Sequence, residues 1–195
     1  MSAAKIIAVV GGIGSGKSVV CRILQSMGYP VYDCDSRARF LQDSDAEMRH
    51  RIASEVTADA LNPDGTLNRH VVAACVFSNP DKLHALNRIV HGAVAVDLHE
   101  HIDCDLSGKN LFFVETAILY ESGLDKMVDF VWEVTAPEAV RVARVMVRNG
   151  LSAEEVRARI AVQSPTAVNT KHYIIINDGK IPLLPQILDG ITQRL

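Results

Sequence analysis

Aromatic side chains are scarce in this chain: five Phe, four Tyr and one Trp make up 5% of its 195 residues. A core built from it must be mostly aliphatic, and 48% hydrophobic content is enough for a sizeable one. The four cysteines, at 21, 34, 75 and 104, form no C-x-x-C pair. Nothing there reads as a disulfide framework or zinc site, and free thiols suit a reducing cytosol. No apolar stretch approaches the roughly 18 residues of a membrane span. The N-terminus leads almost directly into a strand-like run, so no signal peptide is expected. Positive charge is not in excess either. The formal net charge of −3 speaks against a general nucleic-acid binder, while leaving room for a local basic site that holds a small anion. Repeats, low-complexity tracts and long linkers are missing, and nothing marks an obligate protein partner. The expectation is a soluble cytoplasmic protein of about one domain, with small subdomains.

What is present begins with glycine. "VVGGIGSGKSVV" (9–20) follows the apolar run "KIIAVV" (5–10) and precedes an amphipathic segment in which Val19, Val20, Ile23, Leu24 and Met27 recur at helical spacing. Gly11 to Ser18 fits G-x-x-x-x-G-K-[ST], and a strand before with a helix after is the context that separates a phosphate loop from a chance match. Backbone amides must converge on phosphate oxygens, which glycines permit, and the following helix adds its positive end. Gly12, Ile13, Gly14, Ser15, Gly16, Lys17 and Ser18 are the expected nucleotide-binding residues. Lys17 would reach the β- and γ-phosphates, and the Ser18 hydroxyl would ligate Mg²⁺. The loop predicts ATP or GTP as a ligand without naming a reaction.

Further along, "YPVYDCD" (29–35) reads as a short second strand. Residues 36 to about 106 read as several helices inserted on one side of a sheet, with turn signals at "NPDG" (62–65) and "NP" (79–80) and helix period over 84–102. "NLFFVETAILY" (110–120) and "DFVWEVTA" (129–136) look like strands. Residues 137–150 look like a helix stopped by Gly150, and 152–163 like a helix opened by a Ser152/Glu155 capping box. "YIIIN" (173–177) reads as a last strand and 182–195 as a terminal helix. Strands alternating with helices predict an α/β fold around a parallel sheet of about five strands.

Asp33 and Asp35 bracket Cys34. If the chain is still extended there, both carboxylates face one side, and strand ends of an open α/β sheet face the ligand crevice. One carboxylate could then accept a hydroxyl proton while the other orients substrate or metal-bound water. The competing reading is a polar cap on the helix that follows. GTPase switching fits poorly, for there is neither N-K-x-D nor D-x-x-G after the third strand. Glu115, closing "LFFVE", suits an ATPase acid or a residue of the sheet edge equally. Arg141, Arg144 and Arg148 share a helix face. They could close over transferring phosphate or form a solvated basic face.

Several segments together resemble one family, dephospho-coenzyme A kinase. They are "GGIGSGKS", "VYDCDSRAR", "NPDGTLNRHVVAACVFSNP", "LNRIVHGAV", "VETAILYESGL", "APEAVRVARVMVRNGLSAEEVRARIAVQ" and "YIIIND" with Gly179. They span nearly the whole chain in the family's order. The resemblance implies a P-loop kinase fold divided into a nucleotide core (1–36, 107–136 and 166–195), a helical acceptor-binding insert (37–106) and a helical lid (137–165). It implies transfer of the ATP γ-phosphoryl group to the 3′-hydroxyl of dephospho-CoA, giving CoA and ADP, with Mg²⁺. It makes Asp33 the general base, with Lys17 and Arg144 also catalytic and Arg148 at the nucleotide.

Asp35, His91 and Glu121 would serve the acceptor. Histidine packed in a helix, for His91, and a structural ion pair, for Glu121, are the competing readings. Asn177 would contact adenine or cap a turn with Asp178 and Gly179; Arg157 and Arg159 are unassigned. The chain departs from the family's pattern at Gly92, where proline usually follows the histidine, at Arg141, where glutamine is usual, and at Ala117, which replaces a proline. Another small-molecule kinase, or a nucleotide-dependent binding module lacking a base, would share the loop.

Overall fold

The computed structural model describes residues 4–105, 107–163 and 172–193. The expected boundary between lid and last core segment, at 165–166, lies outside the described residues, as do residues 194–195 of the expected terminal helix. Along the chain run β1 (Lys5–Val10), α1 (Lys17–Ser26), β2 (Val31–Asp33), α2 (Cys34–Ser44), α3 (Ala46–Glu55), α4 (Arg69–Phe77), α5 (Pro80–Asp103), β3 (Leu111–Glu115), β4 (Phe130–Thr135), α6 (Glu138–Asn149), α7 (Ala153–Ala161), β5 (His172–Ile176) and α8 (Leu183–Thr192). Two compact units divide the chain: Met1–Tyr32 with Asp105–Leu195, and Asp33–Cys104.

The first unit is an α/β layer structure. Its five-stranded sheet has the order β2-β3-β1-β4-β5, with β1 parallel to β3 and to β4, and β4 parallel to β5. Continuous apolar runs are what a sheet covered on both faces requires, and Ile7 to Val10 of β1 are all buried. Ile7, Val9, Phe113, Trp132, Val134 and Ile175 pack with Val20 and Leu24 of α1 and Ile187 and Ile191 of α8. The few aromatics are concentrated here instead of being spread thinly. Tyr29, Phe113, Trp132 and Tyr173 stand in a row, with centroid spacings of 5.6, 5.1 and 5.6 Å. Their tilted and edge-on contacts are the favoured geometry for ring pairs. Gly190, inside α8, lets that helix approach the row: a Cβ there would lie 2.8 Å from the Trp132 ring and 2.9 Å from Tyr173.

Register places the strand exits side by side. Val9 pairs with Glu115 and Thr135 with Ile176. Beyond those pairs Thr116 N–H donates to Val9 O at 3.2 Å and Asn177 N–H to Thr135 O at 2.8 Å. The carboxyl edge of the sheet therefore presents the loop after β1, the turn after β3, and Asn177 after β5.

The second unit has its own apolar centre of Met48, Ile52, Val56, Ala60, Leu67, Val72 and Ile89. Arg37 of α2 grips Asp97 of α5 with two bonds, of 2.9 and 2.6 Å. Glu55 is held below the usual carboxylate range by hydrogen bonds from Arg88 and Arg51. The "NP" at 79–80, expected as a turn, starts a helix: Asn79 accepts from Lys82 N–H and Pro80 occupies the first helical position, where a missing N–H costs nothing. α5 runs for 24 residues through Gly92.

Two strands are shorter than expected. β3 ends at Glu115, and the chain then turns instead of continuing to 120. β2 ends at Asp33, and Cys34 is already helical. The extended conformation over 29–35, which would have put Asp33 and Asp35 on one side, is thus corrected. Asp33 caps α2, and capping outweighs strand continuation because a carboxylate can satisfy the helix's otherwise unpaired first amides.

Candidate active site

Gly11 to Ser18 links β1 to α1, and every carbonyl bond made to it has a consequence for its amides. Lys17 Nζ donates to Gly11 O at 2.8 Å. Arg141 Nε donates to Ile13 O at 2.9 Å. Arg144 Nη1 reaches Gly14 O at 3.4 Å and Ser15 O at 3.3 Å. Asn177 Nδ2 donates to Ser15 O at 2.7 Å. In a planar trans peptide the C=O and the following N–H point in opposite directions. Holding Ser15 O from one side therefore turns the Gly16 N–H to the other. Successive amides turned this way form an anion-binding concavity, completed by the N-terminus of α1.

Gly16 caps α1 with φ +97°, a left-handed conformation that glycine adopts without steric cost. A Cβ there would also collide with the Asn177 side-chain amide. Asn177 is buried and accepts from Arg144 Nη2 at 3.2 Å. It is thus tied into the loop's supports. The turn beyond is closed by Asp178, whose Oδ1 accepts from the N–H of Lys180 at 2.8 Å and of Ile181 at 2.9 Å. Those backbone bonds hold the Asp178 carboxyl below its ordinary value of 3.8, Ile181 contributing most.

Of the residues expected at the site, Gly12, Ile13, Gly14, Ser15, Gly16, Lys17, Arg144 and Asn177 are interlinked or contiguous in this one cluster. Ser18 is exposed in the first turn of α1, and its carbonyl accepts from Arg22 Nε at 3.1 Å. Arg148 is exposed and donates to Asn149 Oδ1 at 3.0 Å. The shared face of the three arginines is real, but its inner two members are the ones directed at the loop. Glu121 is exposed in the turn after β3, and Glu115 is half-buried at that strand's end. The Ser152/Glu155 capping box forms at the start of α7 as expected.

In the second unit, Asp33 Oδ1 accepts from Asp35 N–H at 3.0 Å and Ser36 N–H at 3.2 Å, and Oδ2 from the Ser36 hydroxyl at 2.5 Å. These bonds fix the carboxylate's orientation. Asp35 is exposed in the first turn of α2, and His91 is half-buried within α5.

Sequence reasoning missed Gln163, whose Oε1 accepts from Ile13 N–H at 2.8 Å and from Arg141 Nη2 at 3.2 Å. Arg141, where the family's usual residue is glutamine, bonds the loop directly. Both act on partners more than a hundred positions away, so nothing in the sequence marks their contact with Ile13. Among the described residues no cluster of three or more His, Cys, Asp and Glu side chains could hold a metal ion. No helix among them is long and apolar enough to cross a membrane.

Known proteins carry the same organisation. The model of the dephospho-CoA kinase family matches residues 5–182. A dephospho-CoA kinase from Chlorobaculum tepidum is 38% identical over 97% of this chain and 94% of its own length. One from Porphyromonas gingivalis is 39% identical over 93% of this chain and 90% of its own length. A crystal structure of a Thermus thermophilus protein superposes with a TM-score of 0.82 at 35% identity, covering 100% of this chain and 99% of the other. A phosphate loop braced from β5 and α6, in a chain matched along nearly its whole length, leads to one conclusion: this protein is an ATP-dependent kinase that belongs to the dephospho-CoA kinase family.

Proposed function

We propose that the chain transfers the γ-phosphoryl group of ATP to the 3′-hydroxyl of dephospho-CoA, giving CoA and ADP in a cytoplasmic setting. The observation that carries the nucleotide half of this reading is the braced loop, in which Lys17, Arg141, Arg144 and Asn177 all bond carbonyls of Gly11 to Ser15. The acceptor's identity is supported by the family and its named relatives.

Phosphoryl transfer involves little covalent work by the protein, so positioning and charge stabilisation dominate. The loop from Gly12 to Ser18 wraps the phosphates; its Ile13 and Ser15 amides bond within the protein, and those of Gly14 and of Gly16 to Ser18 hold the phosphate oxygens. Lys17 exchanges Gly11 O for the β- and γ-phosphate oxygens as ATP enters. Arg144, already at the loop, stabilises negative charge on the equatorial oxygens of the transferring group, and Arg148 adds positive charge from the next turn of α6. Asp33 takes the proton of the acceptor hydroxyl, its orientation fixed by the cap of α2. Asp35, His91 and Glu121 bind the acceptor. Asn177 contributes to nucleotide binding by holding Ser15.

Ser18 fits a magnesium ion: an exposed hydroxyl beside a phosphate cradle offers the sparse oxygen donors that a hard cation retaining its waters accepts. When bound, Mg²⁺ neutralises charge on the β- and γ-phosphate oxygens. The test is ADP release with Mg-ATP across a panel of acceptors. Stimulation by dephospho-CoA above nucleosides and sugars is expected. Equal rates with and without dephospho-CoA would refute the reading.

A further inference from the structure

Ile13 is held at all three of its bonding groups. Its side chain packs with Val142, Val145 and Val156, the shared apolar cluster of α6 and α7. Its N–H donates to Gln163 Oε1 at 2.8 Å and its carbonyl accepts from Arg141 Nε at 2.9 Å. Arg141 Nη2 meets the same Gln163 oxygen at 3.2 Å, so the two side chains form one unit around one peptide. The neighbouring glycines make room for it. A Cβ on Gly12 would lie 2.8 Å from Arg141 Cζ and 3.0 Å from Gln163 Oε1, and one on Gly14 would lie 2.7 Å from Arg141 O and 2.9 Å from Val145 Cγ2. Three of this loop's residues are therefore shaped by α6 and its continuation as well as by the anion they hold.

We infer that Arg141 and Gln163 are positioning residues for the nucleotide, acting through Ile13. They spend the Ile13 N–H and C=O on the protein itself, and the Ser15 N–H closes back on Gly12 O at 3.1 Å; together these bonds fix where the loop begins and leave the amides of Gly14 and of Gly16 onward to be aimed by Arg144 and Asn177. The pair couples the loop to the α6–α7 segment, so a change in that segment is felt by the phosphates without any contact to them. This rests on the kinase reading above, but its consequence appears in ATP binding alone.

The experiment measures Mg-ATP affinity by titration calorimetry, without acceptor, for the wild type, Gln163→Leu, Arg141→Met and the double variant. Gln163→Leu keeps size and loses the acceptor, and a five- to tenfold rise in Kd is expected, the range of one net hydrogen bond. Arg141→Met should weaken binding by about tenfold, since its donor is charged. The double variant should be no more than about twofold worse than the poorer single, because each change already dismantles the same unit. In turnover assays the KM for ATP should rise while the KM for dephospho-CoA stays within about twofold, a split that a general loss of folding would not give. Affinities within twofold of wild type, single effects that multiply in the double variant, or KM values for both substrates rising in step would each overturn the inference. Wild-type protein that fails to bind Mg-ATP would overturn the kinase reading with it.

Discussion

The side-chain amide of Asn177 donates to the carbonyl of Ser15 at 2.7 Å, joining the exit of an edge strand to a loop 162 positions earlier. The same asparagine accepts from Arg144. Asn177→Asp would keep an acceptor for Arg144 while replacing the donor to Ser15 with an oxygen facing an oxygen. ATP affinity should fall by about tenfold, the cost of a buried group left unsatisfied, while Asn177→Ala loses a similar amount. Calorimetry on the two variants checks this; an Asn177→Asp protein binding ATP like the wild type would show that the brace does not orient the loop.

Asp33 has two jobs in this reading, cap and base, and one substitution separates them. Asparagine caps helices as well as aspartate does but cannot take a proton. Asp33→Asn should lower kcat by two or more orders of magnitude while leaving ATP affinity and thermal stability near wild type. Asp33→Ala should lose turnover and also about 1 kcal/mol of stability through the missing cap. Equal kcat for Asp33→Asn and wild type would reduce Asp33 to a cap.

Glycine to alanine should have opposite signs at two helical positions. At Gly92 in α5 no atom other than the helix's own local backbone and the adjoining residues lies within 4 Å of the added methyl, so helix propensity alone acts and the change should stabilise by about 1 kcal/mol. At Gly190 the methyl meets the rings of Trp132 and Tyr173. Overpacking of about 1–3 kcal/mol there exceeds the propensity gain. Thermal melts should shift up for Gly92→Ala and down for Gly190→Ala, each by a few degrees.

The turn behind Asn177 is sensitive to acid. The folded state holds the Asp178 carboxyl below its ordinary 3.8, so the unfolded chain binds the proton more readily. Its stabilisation is therefore complete above that ordinary value and is lost as the pH falls through the lower folded one. Asp178→Asn cannot titrate. The stability difference between wild type and this variant should be constant above about pH 5 and shrink below pH 4 in denaturant titrations.

The phosphate loop and the alternating elements were legible because they rest on local features: spacing, apolar runs, glycine next to lysine and serine. The Asp33–Asp35 segment leaves strand exit and helix cap both open in the sequence, because one residue type serves either and neighbouring residues do not decide between them; the structure shows the cap. Arg141 and Gln163 were illegible for a different reason. Their partners are backbone atoms of Ile13, 128 and 150 positions away, and a main-chain partner leaves no trace in side-chain identity. Asn177 stands out in the sequence, but a strand-end amide suits an adenine, a turn cap or a carbonyl, and residue type alone does not choose among them.

The row of rings across the sheet has an optical consequence. Trp132 is the chain's single tryptophan, fully buried and flanked by Phe113 and Tyr173. Tryptophan emission is thus a probe of the sheet-containing unit alone, while residues 33–104 have none of their own. A red shift in emission marks loss of the sheet's packing, and circular dichroism, weighted toward helices, follows both units. Divergence of the two signals during unfolding would give the order in which the halves of this kinase come apart.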